Sequence, residues 1–333
     1  MGPTVRASFA AAEVLAICLA FGCTKRSEAG LGTEDASRTG TRVSLALNWV
    51  PEPEFGGFYA ARETGAYRRQ GFDVDIRGGG AGVPVIQMVA TGRADFGTVG
   101  GDELVTARGR GADVVAVFAT FQKSPQGIMT HASRHLANLS EVFESGTVAI
   151  EPGLPYAAYL KTLFPWEGAQ VVPYDGGVAR FLADPNFSQQ CYVTSEPIAA
   201  KRQGGDPQVF LIADAGYDPY TTVVVSRREL VIQKPEMVTA FVAATAEGWR
   251  HYLADPRPTN DLIARINPSM DAPMLEAAAE AQKPLVETEA TKREGLGTMA
   301  AERWETLARQ LADLKVIESA PPSSELFVRV NRR

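Results

Sequence analysis

Between Val43 and Val225 short β-branched runs alternate with amphipathic stretches of helical period, and beyond Pro235 only the helical period remains. This rhythm narrows the fold more than any other feature of the chain. A strand that feeds a helix and then another strand closes as a crossover, and repetition builds parallel-rich sheets covered by helices on both faces. Alternation predicts strands over 43–47, 72–76, 95–99, 114–118, 147–150, 170–173, 192–194, 209–213 and 221–225. Apolar spacing of three and four predicts helices over 58–69, 84–91, 103–108, 138–144, 156–163, 178–183 and 197–203. Longer ones follow over 235–253, 272–282 and 299–314. Pro84 suits a first helical turn and Asp102 a helix N-cap. The expected class is α/β, and the sequence shows no internal repeat.

Several predicted strands run into Gly-rich or Pro-rich turns that open helices, at 50–57, 78–84, 100–102, 151–156, 174–177 and 195–197. In open α/β sheets ligands gather at the carboxyl ends of strands, where helix N-termini present free N–H groups. Gly78-Gly79-Gly80-Ala81-Gly82 lacks the spacing of a dinucleotide fingerprint, and no phosphate-binding loop follows any strand, so no cofactor is expected.

The chain opens with an apolar run over 7–22, preceded by Arg6 and followed by Cys23. It is too short to span a bilayer comfortably and reads as a signal peptide, residues 1–22. Leu19-Ala20-Phe21-Gly22-Cys23 resembles a bacterial lipobox, which implies cleavage before Cys23 and lipidation of its sulfur. Residues 23–42 are then a polar tether, and about 18 residues of such chain reach roughly 25 Å. With Cys18 removed and Cys23 lipidated, Cys191 alone remains and no internal disulfide can form. Cys191 is expected to be a small buried residue at a strand end.

A formal charge of −6 with no long Lys/Arg run argues against nucleic acid as a partner. The content of 45% hydrophobic and 22% charged residues is that of a folded chain with room for two domains. His131, His135 and His251 are the only histidines; His131 and His135 stand four apart with no carboxylate or cysteine beside them, so they are expected at the surface and no metal site is expected.

Five blocks then carry a resemblance: Asn48-Trp49-Val50-Pro51, Phe58-Tyr59-Ala60-Ala61, Gly65-Ala66-Tyr67, Gln70-Gly71-Phe72-Asp73-Val74 and Gly92-Arg93-Ala94-Asp95-Phe96-Gly97. Looser blocks follow at Gln122-Lys123-Ser124-Pro125 and Ser195-Glu196-Pro197. Over residues 43–330 the chain resembles the SsuA/THI5-like (NMT1-type) solute-binding proteins. The resemblance implies a two-lobed type II periplasmic-binding-protein fold with ligand in the cleft. Crossings are placed near 127–130 and 220–225, giving lobe one as 43–128 plus 224–333 and lobe two as 129–223. The change to a helical pattern after Val225 agrees with that placing.

The resemblance also implies a monomeric, lipid-anchored, extracytoplasmic (periplasmic) component of an ABC importer, with a membrane permease and an ATPase as partners. Relatives in the family bind thiamine-precursor pyrimidines, riboflavin, or sulfonates such as taurine. The Asn-Trp-x-Pro opening is most like the pyrimidine and flavin binders, so an aromatic heterocycle is the expected cargo and a sulfonate the alternative. A fungal enzyme on this fold, which builds a thiamine pyrimidine from pyridoxal phosphate and its own histidine, is a further alternative. Phe55 stands where that histidine would fall and the enzyme's cysteine-rich iron motif is missing, so catalysis is not expected.

Candidate ligand residues follow. Trp49 ends a strand at a turn forced outward by Pro51-Glu52-Pro53, where its ring could stack on a flat ligand. Phe55 and Tyr59 are expected at the same mouth, and Glu54 as a solvated turn residue. Glu196, between a strand and Pro197, is expected to accept a ligand N–H, which discriminates strongly against analogues lacking the donor. Tyr156, Tyr174, Asp175, Tyr217 and Tyr220 are expected from the opposite lobe or the crossing. Asp102, Gln122 and Ser124 complete the set.

Overall fold

The structure, a computed structural model, describes residues 40–330; Cys23, the signal segment and nearly all of the tether lie outside them. Ten strands form two five-stranded sheets. The first sheet contains β1 (Thr41–Ala46), β2 (Phe72–Arg77), β3 (Phe96–Val99) and β4 (Val114–Phe121). The second contains β5 (Gln126–His131), β6 (Thr147–Ile150), β7 (Gln170–Pro173), β8 (Phe187–Tyr192) and β9 (Pro207–Leu211), and β10 (Thr221–Arg227) returns to the first. The orders are β2-β1-β3-β10-β4 and β7-β6-β8-β5-β9.

The sheets are mixed rather than purely parallel, and they share one plan. β2, β1 and β3 run parallel, as do β7, β6 and β8. The fourth strand in each order is antiparallel to both neighbours and arrives from the other sheet. The repeat that the sequence does not show is therefore present in the topology. The chain passes from the first sheet to the second between Phe121 and Gln126 and returns between Leu211 and Thr221. Both segments in which crossings were expected are strand: β5 pairs only within the second sheet and β10 only within the first.

Several expected elements shift. β1 begins at Thr41, inside the stretch expected to be tether. The helix expected over 58–69 is two, Gly56–Glu63 and Ala66–Arg69, because Gly65 adopts φ +76° and turns the chain between them. The helix expected over 138–144 is a 3-10 turn at Ser140–Phe143. The strand expected over 192–194 is β8, five residues earlier. Its run Ser188-Gln189-Gln190 looks exposed in sequence, yet all three are buried with partners. Ser188 bonds Thr130 and Arg134, Gln189 donates to the Gly177 carbonyl, and Gln190 accepts from Tyr156. Satisfied polar side chains can occupy a core that an apolar pattern would not reveal.

The first sheet is braced by the helices Gly56–Glu63 and Pro235–Ala254 lying against each other. Their approach depends on two glycines: a Cβ on Gly248 would sit 2.3 Å from the Gly57 carbonyl oxygen, and one on Gly57 2.2 Å from the Trp249 ring. Trp249, fully buried, meets Phe58 edge-on at 5.9 Å. The Gly92–Gly97 motif is architectural. Asp95 Oδ2 accepts from both the backbone N–H and the hydroxyl of Ser44, at 2.9 and 2.8 Å, stitching β1 to the entry of β3.

Arg303, in the helix Ala301–Asp313, gathers both crossings. Its guanidinium donates to the carbonyls of Gln122, Asp218 and Pro219 and to Asp218 Oδ1, and lies 3.9 Å from the centre of the Tyr220 ring. Asp218 Oδ1 also accepts from the Ser124 N–H at 2.8 Å. The base of the two-lobed body is thus a knot of charge-assisted hydrogen bonds.

Candidate functional site

The carboxyl ends of β1, β3 and β8 lead into the turns that hold the candidate site. After β1 the chain runs through Pro51-Glu52-Pro53-Glu54 into a 3-10 turn at Pro53–Phe55. Two side chains from distant helices hold this turn: Asn267 donates to the Pro51 carbonyl at 2.8 Å and Gln282 to the Pro53 carbonyl at 2.9 Å. Phe55 drops into the core and is fully buried. Glu52 and Glu54 remain half-buried, and their carboxyl groups hydrogen-bond each other.

Glu196 reaches the same region from the second sheet. It opens the helix Glu196–Arg202, with Pro197 in the first turn. Its Oε1 accepts from the Tyr174 hydroxyl at 2.7 Å and its Oε2 from the Tyr192 N–H at 2.8 Å, which fixes the carboxylate. Asp102 is the second residue of the helix Gly101–Gly109 rather than its N-cap, a position held by Gly100. Asp102 accepts from the Tyr217 hydroxyl at 3.2 Å. The Tyr192 side chain lies within electrostatic reach of Glu54, Asp102, Glu196 and Glu52.

These carboxyls keep some solvent contact while protein crowds them at longer range, as in the floor of a narrow cleft. Burial, reinforced by the Glu54 charge, holds Glu52 well above the ordinary carboxylate range. Burial raises Glu54 to about 7, partly offset by its hydrogen bond with Glu52. Burial also raises Asp102. At neutral pH the Glu52–Glu54 pair therefore retains a proton, as two close carboxyls in a dry site must. Burial likewise pushes Tyr174, Tyr192 and Tyr217 upward, so they stay neutral donors.

The candidate residues thus divide. Trp49 is 44% exposed at the end of β1, with its carbonyl tied to the Gly79 N–H, and its ring face is available for stacking. Glu196, Tyr174 and Asp102 come together with Tyr217 around the cleft floor. Asp175 is exposed beside Tyr174. Phe55 and Tyr59, by contrast, are buried in the core against helix Pro235–Ala254 rather than at the mouth. Tyr156 is buried with its hydroxyl committed to Gln190 at 2.6 Å. Gln122 spends its amide on the carbonyls of Ala119 and Thr298, and Ser124 and Tyr220 belong to the Arg303 knot.

Glu52, Glu54 and Tyr192 are site residues that sequence reasoning missed. Two glutamates spaced by a proline, with an apolar anchor at Phe55, were the available signal: once Phe55 points inward, both acids are left at the surface of the same tight turn. His131 is also buried, not at the surface; it stacks on Phe181 at 3.9 Å and bonds Asp206 and the Phe181 carbonyl. Among the described residues no cluster of His, Cys, Asp and Glu could hold a metal ion. Cys191 is buried at the end of β8, and burial pushes its thiol up, away from reactivity.

Two mixed α/β sheets joined by two crossings, with polar groups converging where strand ends meet, define the class of periplasmic-binding-protein folds. The chain belongs to the NMT1/THI5-like family, whose model matches residues 52–259. It is 26% identical to the riboflavin-binding protein RibY of Chloroflexus aurantiacus over 287 residues, 81% of this chain and 80% of that one. It is 22% identical to the formylaminopyrimidine-binding protein of Halalkalibacterium halodurans, over 79% of this chain and 82% of that one. It is 21% identical to a 4-amino-5-hydroxymethyl-2-methylpyrimidine phosphate synthase of Legionella pneumophila, over 71% and 77%. The fold matches the periplasmic aliphatic sulphonate binding protein SsuA of Escherichia coli with a TM-score of 0.68 at 13% identity, covering 88% of this chain and 93% of that one.

Proposed function

We propose that this protein is the solute-binding component of an ABC importer and captures a flat heterocycle that carries N–H donors, of the riboflavin or aminopyrimidine kind. The observation that carries this reading is the fixed Glu196 carboxylate, oriented by Tyr174 and Tyr192 and facing the Glu52–Glu54 turn. A cleft floor of acceptors rewards a ligand that donates, and leaves buried acceptors unpaired for one that does not. Trp49 offers the stacking face. A sulfonate, the alternative cargo, is an anion and would meet the Glu196 carboxylate and the charge that remains on the Glu52–Glu54 pair.

On this reading lobe one is built on the first sheet and lobe two on the second, and they close on the ligand by bending at the segments gathered by Arg303. Ligand stabilises the closed form by its differential affinity for it. The protein works outside the cytoplasm, tethered through Cys23 as a monomer, and hands its cargo to a permease driven by an ATPase. On this reading it binds its cargo without transforming it, which the buried Phe55, where the resemblance puts the fungal enzyme's histidine, supports.

A thermal-shift screen of the purified protein against riboflavin, FMN, thiamine, free and formylated aminopyrimidines and taurine tests the reading, because a ligand that binds only the folded state raises its melting temperature. A shift with one heterocycle is expected. A shift with taurine alone would transfer the protein to the sulfonate binders, and turnover of a bound heterocycle would make it an enzyme.

A further inference from the structure

We propose that Arg202 and Asp271 form a latch across the cleft that holds the two lobes closed and sets how fast ligand escapes. Arg202 ends the helix whose first residue is Glu196. That helix packs on β8 and β9 of the second sheet. Asp271 is the N-cap of the helix Ala272–Val286, which packs through Leu275, Ala279 and Leu285 into the core of the first sheet. The same helix carries Gln282, which holds the Pro53 carbonyl of the acidic turn. One ion pair therefore links the element that presents Glu196 to the element that supports Glu52 and Glu54.

The geometry is that of a fork on a carboxylate. Arg202 Nη1 donates to Asp271 Oδ1 at 2.8 Å and Nη2 to Oδ2 at 2.6 Å. Paired, parallel hydrogen bonds of this kind are specific in distance and angle, so they exist only when the lobes stand in one relative position. Asp271 is in place regardless of the pair, because its Oδ1 also accepts from the Met274 N–H at 3.0 Å. Among the ion pairs of the described residues, this is the one that joins a residue of 126–211 to a residue of 41–121 or 221–330. The others that bridge the sheets, Lys123–Asp214 and Arg303–Asp218, involve the crossing segments themselves.

A cavity of about 510 Å³ separates the lobes here, with walls from Glu52, Ser195, Ala199, Asn267, Met270 and the pair itself. The helices Glu196–Arg202 and Ala272–Val286 also touch here, and the ion pair adds contacts of fixed geometry to that packing. Both partners are substantially exposed, with side chains 43% and 55% accessible. Salt will therefore weaken the contact, and the latch is a modest, reversible one.

The test measures the distance between dyes on Lys161→Cys, in lobe two, and Glu236→Cys, in lobe one. Both positions are exposed, and the buried Cys191 will not take label. The background carries Cys18→Ser and Cys23→Ser. Arg202→Gln removes the fork, and Asp271→Asn removes the charge while keeping a good N-cap. The latch requires each variant to shift the distance distribution away from wild type toward the open form, and the double variant to add nothing further. Raised salt should shift wild type in the same direction and leave the variants unmoved. Riboflavin, the probe for release, should leave each variant about two- to five-fold faster than wild type. Distance distributions that coincide with wild type, or shifts that simply add, overturn the latch. The proposal rests on the two-lobe closure reading but not on the cargo: if riboflavin does not bind, the distance and salt measurements still decide it.

Discussion

The Tyr174 hydroxyl donates to Glu196 Oε1 at 2.7 Å, while the Tyr192 N–H donates to Oε2 of the same carboxylate at 2.8 Å. One acid is thus gripped at both oxygens by groups at the carboxyl ends of two strands, β7 and β8. Its remaining lone pairs have fixed directions, which is what a site needs to choose a ligand by its N–H pattern. Tyr174→Phe keeps the ring and removes the grip at one oxygen. We expect it to weaken heterocycle binding about tenfold, as for loss of a hydrogen bond to a charged group, read by calorimetric titration. An unchanged affinity would mean that Glu196 does not face the ligand.

Stability should fall as pH rises through the neutral range. Glu54 titrates near 7 in the folded protein against an ordinary 4.5, and Glu52 and Asp102 are raised with it. Between the two values the folded state binds more protons than the unfolded one, so its advantage is full below the ordinary value and is lost as pH climbs through the raised one. For Glu54 this amounts to at most about 3 kcal/mol. Melting temperature should decline from pH 5 to pH 8, and Glu54→Gln should remove part of that decline, the rest coming from Glu52, Asp102 and Glu103, which burial also raises. Asp206 acts on the acid side: hydrogen bonds from His131 and Ser133 hold it down to about 2, so its contribution is present above the ordinary 3.8 and is lost as pH falls toward 2.

Gly248→Ala should destabilise lobe one. The added methyl would meet the Gly57 carbonyl oxygen and Ala61 where two helices touch, and the helices must separate to admit it. Overpacking of this kind costs about 1–3 kcal/mol. Urea unfolding should show a lower midpoint, with ligand affinity altered little as long as the protein is folded.

Arg303→Met should strike stability and closure together. It strips donors from the carbonyls of Gln122, Asp218 and Pro219 and from Asp218 Oδ1, and removes the cation from the face of Tyr220. Leaving such groups unpaired costs about 1–3 kcal/mol. Scattering with and without ligand should show a smaller difference between the two forms than in wild type, because the crossings no longer bend as one unit. A normal ligand-induced compaction would confine Arg303 to a purely local role.

What the sequence by itself determined is local and periodic. Alternation at Phe72–Arg77 and the apolar spacing of Pro235–Ala254 identify their elements, because burying one face of a strand or helix leaves a repeat of fixed length in the chain. The Asn48-Trp49-Val50-Pro51 block and its successors carry the family resemblance in the sequence alone. What only the tertiary structure decided are the matters of distance between residues remote in the chain. β8 was expected five residues too late because Ser188, Gln189 and Gln190, polar in sequence, are buried by partners from other elements. Phe55 and Tyr59 read as mouth residues until the helix packed against Trp249 turned them into core. Glu54 read as a solvated turn residue, and it shares a proton with Glu52 because the folded chain buries the two acids beside each other. A carboxylate's ionisation depends on which charges and how much protein surround it in space, and no spacing along the chain encodes that.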